Sequence, residues 1–288
     1  MFKSLKPQSH NSWKSGRIFV RRIISGLRSG VEVKLKSLLL PRKYFFWHPS
    51  YGNDPIPINF GDDLFGKIVS KITGEEVFSC GPGYLGKKLL IGGSTMSFAR
   101  NGDQVWGAGI RDGYLDPKLR RLKIYAVRGP LTAAIMKKQG IDVPPCYGDP
   151  AILWPGLFPH LKRMDSLWDV GIIPHFREMQ SIERLSFPAN SKIISPVQNP
   201  LNVLEQMRFC KRVVASSLHG IICAEALGIP VEPYKTSGEP DFKYQDYFAA
   251  TQREWAPHLS ILDAINGEFN PPPNFSAEIK SLIKAFPT

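Results

Sequence analysis

The sequence predicts an α/β fold made of two Rossmann-like domains that face each other across a cleft. Short apolar runs rich in β-branched residues alternate with amphipathic segments of helical spacing, as in parallel sheets with helical crossovers. A stretch rich in Pro and Gly over 154–168 interrupts this alternation, which then begins again. We therefore predict a basic leader over 1–41, an N-terminal domain over 42–158 and a C-terminal domain with terminal helices over 159–288.

The composition is that of a globular protein with a sizeable core, because 43% of the 288 residues are hydrophobic and 22% are charged. No apolar run approaches the ~18 residues of a membrane-spanning helix, and the amino terminus lacks the pattern of a secretory signal. The four cysteines form no CxxC pair, and the histidines show no zinc-ligand spacing. We expect a cytoplasmic protein with buried free thiols, no bound metal and no cofactor.

The net charge of +12 is concentrated in the leader. Residues 1–40 carry nine Lys and Arg side chains and one acid, so they account for +8 of the total and leave a mildly basic body. A body of that charge argues against a nucleic-acid partner. In the leader, apolar residues recur at helical spacing between arginines, which is typical of a helix lying on an anionic membrane surface. A leader that is partly ordered, or that packs on the body, is the alternative.

In the N-terminal domain, polar and glycine residues follow the predicted strands. Gly93 and Ser94 lie in a glycine turn, where a ligand or a helix can approach the backbone closely. Arg111 follows a similar run over 105–110, and Asp149 lies in one more turn. The predicted elements are strands over 43–48, 87–91 and 124–127, a helix that opens at Asn59 and ends near Gly74, and a helix over 130–138.

Two charged residues of this domain have both a structural and a functional interpretation. Asp62 lies in the first turn of a predicted helix, where a carboxylate caps free N–H groups. Arg128 projects from the carboxyl end of a strand, where a guanidinium can hold a carboxylate or a phosphate in a bidentate manner. A salt bridge to an acidic side chain at the start of a helix is the alternative for Arg128.

In the C-terminal domain, the segment 213–230 predicts a strand, a turn and a helix. His219 opens this helix, beside backbone N–H groups that favour an anion, and an imidazole there can bind the anion or transfer a proton. The alternative is that Ser216 and Ser217 cap the helix and His219 is a surface residue. The other predicted elements are strands over 170–173, 192–195 and 231–234, with His175 after the first, and helices over 199–210, 242–249, 263–265 and 277–285.

Several short motifs occur in one order along the chain. They are Asn59-Phe60-Gly61-Asp62, Gly92-Gly93-Ser94, Trp106-Gly107-Ala108-Gly109, Ala126-Val127-Arg128-Gly129-Pro130-Leu131-Thr132, Tyr147-Gly148-Asp149-Pro150-Ala151, Ile172-Ile173-Pro174-His175 and Ser216-Ser217-Leu218-His219-Gly220. The ordered series covers about residues 43–235 and resembles the polysaccharide pyruvyl transferase family. The resemblance implies a GT-B-like pair of Rossmann domains. It also implies transfer of the pyruvyl group of phosphoenolpyruvate to two hydroxyls of a sugar, free or lipid-linked, as a cyclic ketal.

The resemblance implies roles for individual residues. His219 and Asp62 would be catalytic, and Arg128 would bind the donor anion at the opposite end of one shared cavity. The further candidates are Ser217, His175, Arg111, Gly93 and Ser94 for donor binding, and Asp149 and Trp106 for acceptor binding.

One position departs from the family pattern. Several family members have an arginine directly before Leu-His-Gly, where this chain has Ser217. Phosphoenolpyruvate carries a carboxylate and a phosphate, so its site needs at least two cationic or N–H-rich anchors. We expect Arg100, Arg111 or Lys235 to supply the charge that is missing at position 217.

Two other functions fit the same fold, because fold does not fix function. A glycosyltransferase with a nucleotide-sugar donor would need an acid for the ribose, and Glu225 is the candidate, with a helix-surface carboxylate as the alternative. A non-catalytic glycan-binding protein could stack sugars on Trp106, Trp154 or Trp168, although core packing is the commoner role of such residues.

Overall fold

The computed structural model describes residues 42–48 and 58–287. The described chain contains two four-stranded sheets, and every strand pairing in them is parallel. The predicted Rossmann-like α/β class is therefore confirmed. The predictions for the basic leader and its membrane contact lie outside the described residues.

The first sheet has the strand order β1-β2-β3-β4, the same as the order along the chain. Its strands are β1 (Tyr44–Phe45), β2 (Leu89–Ile91), β3 (Gln104–Ala108) and β4 (Lys123–Val127), accompanied by helices α1 (Phe60–Thr73) and α2 (Pro130–Lys138). The central β2 is apolar and completely buried, as expected for a parallel strand covered on both faces. The carboxyl ends of all four strands consequently lie at one edge of the sheet.

The second sheet has the strand order β6-β5-β7-β8. The chain adds β6 on one side of β5 and then returns to add β7 and β8 on the other side. The strands of this sheet are β5 (Trp168–Ile173), β6 (Ser191–Ile193), β7 (Cys210–Ala215) and β8 (Val231–Pro233). The remaining helices, in chain order, are α3 (Trp154–Leu157), α4 (Met179–Ile182), α5 (Pro200–Met207), α6 (Leu218–Ala226), α7 (Phe242–Ala250), α8 (Ile261–Asn266) and α9 (Ser276–Ala285). Open parallel sheets bind ligands at the carboxyl ends of strands where the order reverses. Here that point lies between β5 and β7.

The starts of two helices fix the positions of Asp62 and His219. Asn59 accepts a hydrogen bond from the Gly61 N–H at the start of α1, and Gly74 closes this helix in a left-handed conformation with φ 75°. At the start of α6, the Ser217 hydroxyl accepts from the Gly220 N–H, as predicted. Each helix therefore begins at a fixed position beside the carboxyl edge of a sheet.

The predicted linker over 154–168 is not an exposed connection. Trp154, Phe158 and Leu161 are buried in a core cluster that also contains residues of both sheets. Helix α9 returns from the end of the chain to pack on β3 and β4 of the first sheet, so not all of the terminal helices lie against the second. The boundary at 158/159 and the GT-B-like arrangement stay predictions.

Candidate active site

Both sheets direct their carboxyl ends toward a cavity of about 340 Å³. This volume is within the range of small-molecule sites, ~300–1,000 Å³. Six of the residues predicted for the site line the cavity: Asp62, Ser94, Arg111, His175, Ser217 and His219. Residues separated by more than 100 positions along the chain are thus brought to one place.

His219 lies at the boundary between the two halves. Its ring packs edge-on against Phe65, with ring centroids 5.3 Å apart, and a Cβ on Gly61 would overlap the imidazole. His219 Nε2 is buried without a hydrogen-bond partner, and it lies 3.8 Å from Asp149 Oδ2. The ring is only 12% exposed, so its orientation is fixed by packing.

Asp149 supports His219 and does not line the cavity. Its side chain is completely buried; Oδ1 accepts from the Ala151 N–H at 3.0 Å, while Oδ2 has no hydrogen-bond partner. The prediction that Asp149 contacts the acceptor is therefore wrong. A carboxylate enclosed in this way can contact only the protein, and its free oxygen lies 3.8 Å from the His219 imidazole.

Asp62 presents a carboxyl group to the cavity from the first turn of α1. Burial raises its pKa to about 6, against the lowering effect of His219 and Lys243. Burial, together with the neighbouring Asp62, also raises the pKa of Asp63 to about 7. Gly93 lies behind Asp62: a Cβ on Gly93, which has φ +59°, would be 3.7 Å from Asp62 Oδ1. Gly93 is consequently part of the support of the site.

A cluster of cations surrounds one carboxylate that lines the same cavity. Glu239 accepts from Arg111 Nη2 at 3.0 Å, from Arg177 Nη1 at 2.8 Å and from Lys243 Nζ at 2.7 Å. His175 Nε2 lies 3.8 Å from the same group. Three cations facing one anion leave a net positive charge, which is suited to an anionic ligand.

The pKa values of this cluster follow from its burial and its charges. Burial lowers the pKa of His175 to about 4, and Lys243 lowers it further, so this imidazole is neutral at pH 7. Burial also lowers the pKa of Lys243, against the pull of Glu239 in the opposite direction. Burial alone would raise the pKa of Glu239, but Lys243 and the other cations hold it below its ordinary value. Glu239 is therefore an anion.

Arg128 lies behind the cavity and not in it. Its guanidinium is fully buried; Nε donates to Asp246 Oδ2 at 3.1 Å and Nη1 donates to Ser94 Oγ at 2.9 Å. Asp246 in turn accepts from the backbone and hydroxyl of Thr132. Arg128 thus forms a salt bridge, as in the alternative, but its partner lies within α7 and not at a helix start, and the prediction that Arg128 and His219 share one cavity is wrong. In the N-terminal half, Arg111 places its guanidinium group at the cavity in place of Arg128.

Trp106 is a core residue. Its side chain is completely buried, Nε1 donates to the Leu282 carbonyl at 3.0 Å, and the ring packs edge-on against Phe286. The prediction that Trp106 binds the acceptor is therefore wrong. The aromatic residues that do line the cavity are Trp47, Phe98 and Phe176.

Comparison with known proteins identifies the family. A family model described as polysaccharide pyruvyl transferase matches residues 39–232, which is more than half of the chain. The chain belongs to the polysaccharide pyruvyl transferase family. The matched region includes His219 and every cavity residue named above except Glu239 and Lys243.

Two curated relatives are similar over parts of the chain. An uncharacterized protein of Acanthamoeba polyphaga mimivirus is 32% identical over 134 residues, covering 43% of this chain and 47% of the relative. The succinoglycan biosynthesis protein ExoV of Rhizobium meliloti (strain 1021) is 28% identical over 223 residues, covering 71% of this chain and 63% of ExoV. The matches thus span about half of the first relative and less than two thirds of the second.

A solved structure of an uncharacterized protein from Klebsiella pneumoniae subsp. pneumoniae NTUH-K2044 is also similar. It has 14% sequence identity and a TM-score of 0.44, and the match covers 77% of this chain and 92% of that chain.

The residues that were expected to replace the missing family arginine divide into two groups. Arg111 lines the cavity of this polysaccharide pyruvyl transferase family member, as expected. Arg100 and Lys235 are not among the residues that line it, and Lys235 pairs with Asp241 on the surface. Glu225 is buried and pairs with Arg253 and Tyr247, so both interpretations of Glu225, as a ribose ligand and as a helix-surface carboxylate, are wrong.

Sequence reasoning missed Arg177, Glu239 and Lys243. Glu239 and Lys243 are spaced i, i+4, which is a signal for a local ion pair but not for a cavity. Arg177 follows His175 by two positions at the end of β5, where a strand-end loop gives some signal for a ligand site. Only the fold shows that the three side chains meet.

The described residues give three further results. No group of three or more His, Cys, Asp or Glu side chains is placed to hold a metal ion in the part of the chain that the structure describes. No helix within the same residues is long and apolar enough to cross a membrane. All four cysteines are free, and three of them are buried, as predicted.

Proposed function

We propose that this protein transfers the pyruvyl group of phosphoenolpyruvate to two hydroxyls of one sugar in a polysaccharide or its precursor. The products are a cyclic ketal and inorganic phosphate. The observation that supports this best is one cavity that combines three cations, a fixed imidazole and a carboxyl group with a pKa of about 6. A cytoplasmic location and a lipid-linked acceptor stay predictions.

The cation cluster would hold the donor. Phosphoenolpyruvate brings a phosphate and a carboxylate, and both are ligands that guanidinium groups bind in a bidentate manner. Arg111 and Arg177 have side chains that are about half exposed, so each can turn one edge from Glu239 to an incoming anion. Lys243, at 10% exposure, provides a fixed point charge beside the same carboxylate. The Ser217 hydroxyl lines the same wall.

Ketal formation requires balanced proton transfers. A proton added to the methylene carbon of the donor makes C2 electron-poor, and the first sugar hydroxyl then bonds to C2 and loses its proton. Phosphate leaves with the C2–O bond electrons, and the second hydroxyl closes the ring and loses its proton. Of the two protons released by the hydroxyls, one balances the methylene proton and the other leaves with phosphate.

His219 and Asp62 would carry these protons. A positioned acid or base contributes about 10²–10⁴ in rate, and the Asp62 carboxyl, with a pKa of about 6, is suited to proton transfer near neutral pH. We assign delivery of the methylene proton to His219 and removal of a hydroxyl proton to Asp62. The Asp62 carboxylate would also stabilise the positive charge that develops at C2. Asp149 would act as a positioning residue through its charge, with Oδ2 3.8 Å from His219 Nε2.

The experiment that tests this proposal uses the full chain with phosphoenolpyruvate. Stabilisation of the protein by phosphoenolpyruvate in a thermal-shift assay, and not by UDP- or CMP-sugars, is the first expected result. Phosphate release that depends on a sugar acceptor, with one pyruvyl ketal found on that sugar by mass spectrometry, is the second. Stabilisation by a nucleotide sugar alone would favour a glycosyltransferase. Glycan binding without phosphate release would favour a non-catalytic role.

A further inference from the structure

Trp47 and Phe98 form a stacked aromatic pair on the cavity wall of the first sheet. Their ring centroids are 5.2 Å apart with an interplanar angle of 24°, and both residues line the cavity and are partly exposed. We propose that this pair, the Trp47–Phe98 platform, binds the acceptor by stacking against one face of its pyranose ring. This inference rests on the proposed function, because it takes the second substrate to be a sugar.

The platform is held rigidly. Phe98 packs on Phe45, a fully buried residue of β1, with centroids 5.3 Å apart, and Phe98 N–H donates to the Thr95 carbonyl. The backbone before Trp47 is fixed because Phe46 exchanges two hydrogen bonds with the Ser79 hydroxyl. A preorganised ring loses little conformational freedom when a ligand stacks on it, so its binding energy is retained.

The chemistry of the platform fits an uncharged ring with hydroxyl groups. A pyranose has an apolar C–H face, which suits an aromatic ring, and hydroxyls at its edge that need hydrogen-bond partners. Ser94 and Ser97 bring hydroxyl groups to the same wall, and Asp62 adds a carboxyl. An anionic donor, in contrast, gains nothing from two neutral aromatic rings.

The platform and the cation cluster follow different strands. The cations that contact Glu239 come from the loop after β3 and from the second half of the chain, whereas Trp47 and Phe98 follow β1 and β2. Asp62 lies on the platform's half of the chain, as required for a group that takes a proton from the acceptor. The donor would bind at the cations and the sugar would bind at the aromatic pair.

Fluorine NMR of the full chain labelled with 5-fluorotryptophan tests the platform without any turnover. The six tryptophans give resonances that single substitutions to Phe assign. Addition of cellobiose or lactose is expected to shift the Trp47 resonance and to leave the Trp168 resonance unchanged, because Trp168 lies at the amino end of β5. A Trp47 resonance that moves with neither sugar would overturn the proposal.

A kinetic measurement gives the second test. With an acceptor that supports phosphate release, Trp47→Leu and Phe98→Leu should each raise the KM for the sugar about three- to tenfold. The KM for phosphoenolpyruvate should stay within about twofold, and Trp47→Phe should lose less than Trp47→Leu because it keeps a ring. An unchanged sugar KM in both Leu variants would also overturn the platform. Failure of the pyruvyl transfer itself would leave the NMR result intact, so the two failures can be distinguished.

Discussion

The two walls of the cavity differ in the interactions that they offer. The wall from β1 and β2 presents Trp47, Phe98 and small hydroxyl side chains, with Asp62 as its ionisable group. The wall from β5, β7 and β8 presents Arg177 and Lys243 around Glu239. One wall is therefore mainly aromatic and the other is densely charged, with Arg111 of the charged cluster coming from the loop after β3 of the first sheet.

This difference shows how two similar sheets divide one reaction. A parallel sheet supplies the same backbone frame to each wall, and the side chains that follow the strands decide which molecule is bound. His219 lies where the walls meet, between Phe65 of one half and Asp149 behind it. The variants below test whether the chemistry really depends on this division.

Substitution of His219, where the two walls meet, should have the largest effect on activity. We expect His219→Ala to lower the rate of phosphate release about 10²–10⁴-fold, because it removes the proposed proton donor. The exposed His160→Ala serves as the matched control and should retain wild-type turnover. A His219→Ala protein with near wild-type kcat would remove this residue from the mechanism.

Two arginines of the first half should separate stability from donor binding. Arg128→Ala leaves the buried Asp246 without its cationic partner, so we expect the free energy of unfolding in urea to fall by about 3–5 kcal/mol. Arg111→Ala removes a side chain that is 46% exposed, so stability should change little. The affinity for phosphoenolpyruvate should fall about tenfold in Arg111→Ala. A loss of phosphoenolpyruvate affinity in Arg128→Ala, with little change in its stability, would instead assign donor binding to Arg128.

Replacement of Asp62 by Asn should lower activity and raise stability. Because burial raises its pKa to about 6, the folded protein keeps a proton between about pH 4 and 6 that the unfolded chain releases. Stability from this group is therefore present below about pH 4, falls as the pH rises to about 6 and stays lost above it. Asp62→Asn should raise the free energy of unfolding by about 1–3 kcal/mol at pH 8 but hardly at pH 4, while slowing transfer about hundredfold.

The control for Asp62 is Asp142→Asn, which changes an exposed carboxylate. Urea unfolding at the two pH values and the rate of phosphate release are the measurements. An equal stability change in Asp62→Asn at both pH values would show that burial does not shift the titration of this group.

The smallest effect should come from restoring the family arginine. Ser217→Arg loses the hydroxyl that accepts from Gly220 N–H, at a cost of about 1 kcal/mol, and adds a cation to the charged wall. We expect phosphoenolpyruvate to bind a few-fold more tightly to this variant. Ser217→Ala loses the same cap without adding charge, so a matching gain in its affinity would exclude an electrostatic cause.

Local signals in the sequence predicted much of the fold. The range predicted for α2, 130–138, agrees with the structure because Pro130 starts the helix, and Gly74 ends α1 near its predicted position. The predicted helix over 199–210 is too long: α5 ends at Met207, and Cys210 already belongs to β7. Where a buried strand follows a helix almost directly, the local sequence gives little indication of where the helix ends.

The site was harder to predict because its distinctions depend on distant partners. Arg111 and Arg128 both follow strands, and nothing nearby in the sequence shows that Asp246 neutralises only the second. Trp106 and Trp47 are equally plausible sugar contacts by residue type, but Trp106 lies within β3 and is packed by the end of the chain. Residue type and strand position locate the cavity edge, whereas tertiary contacts decide which side chains reach it.

The absence of a side chain at Gly61 has a consequence for how such a protein can vary. The backbone of α1 approaches the imidazole of His219 so closely that a single methyl group would have no room. The neighbouring Phe60 N–H also donates to the Pro196 carbonyl in the other half, at 2.9 Å. The residues where α1 contacts the second half therefore cannot change independently during evolution. A substitution on one side of this contact has to be matched by one on the other side, or Asp62 and the His219 imidazole lose their alignment.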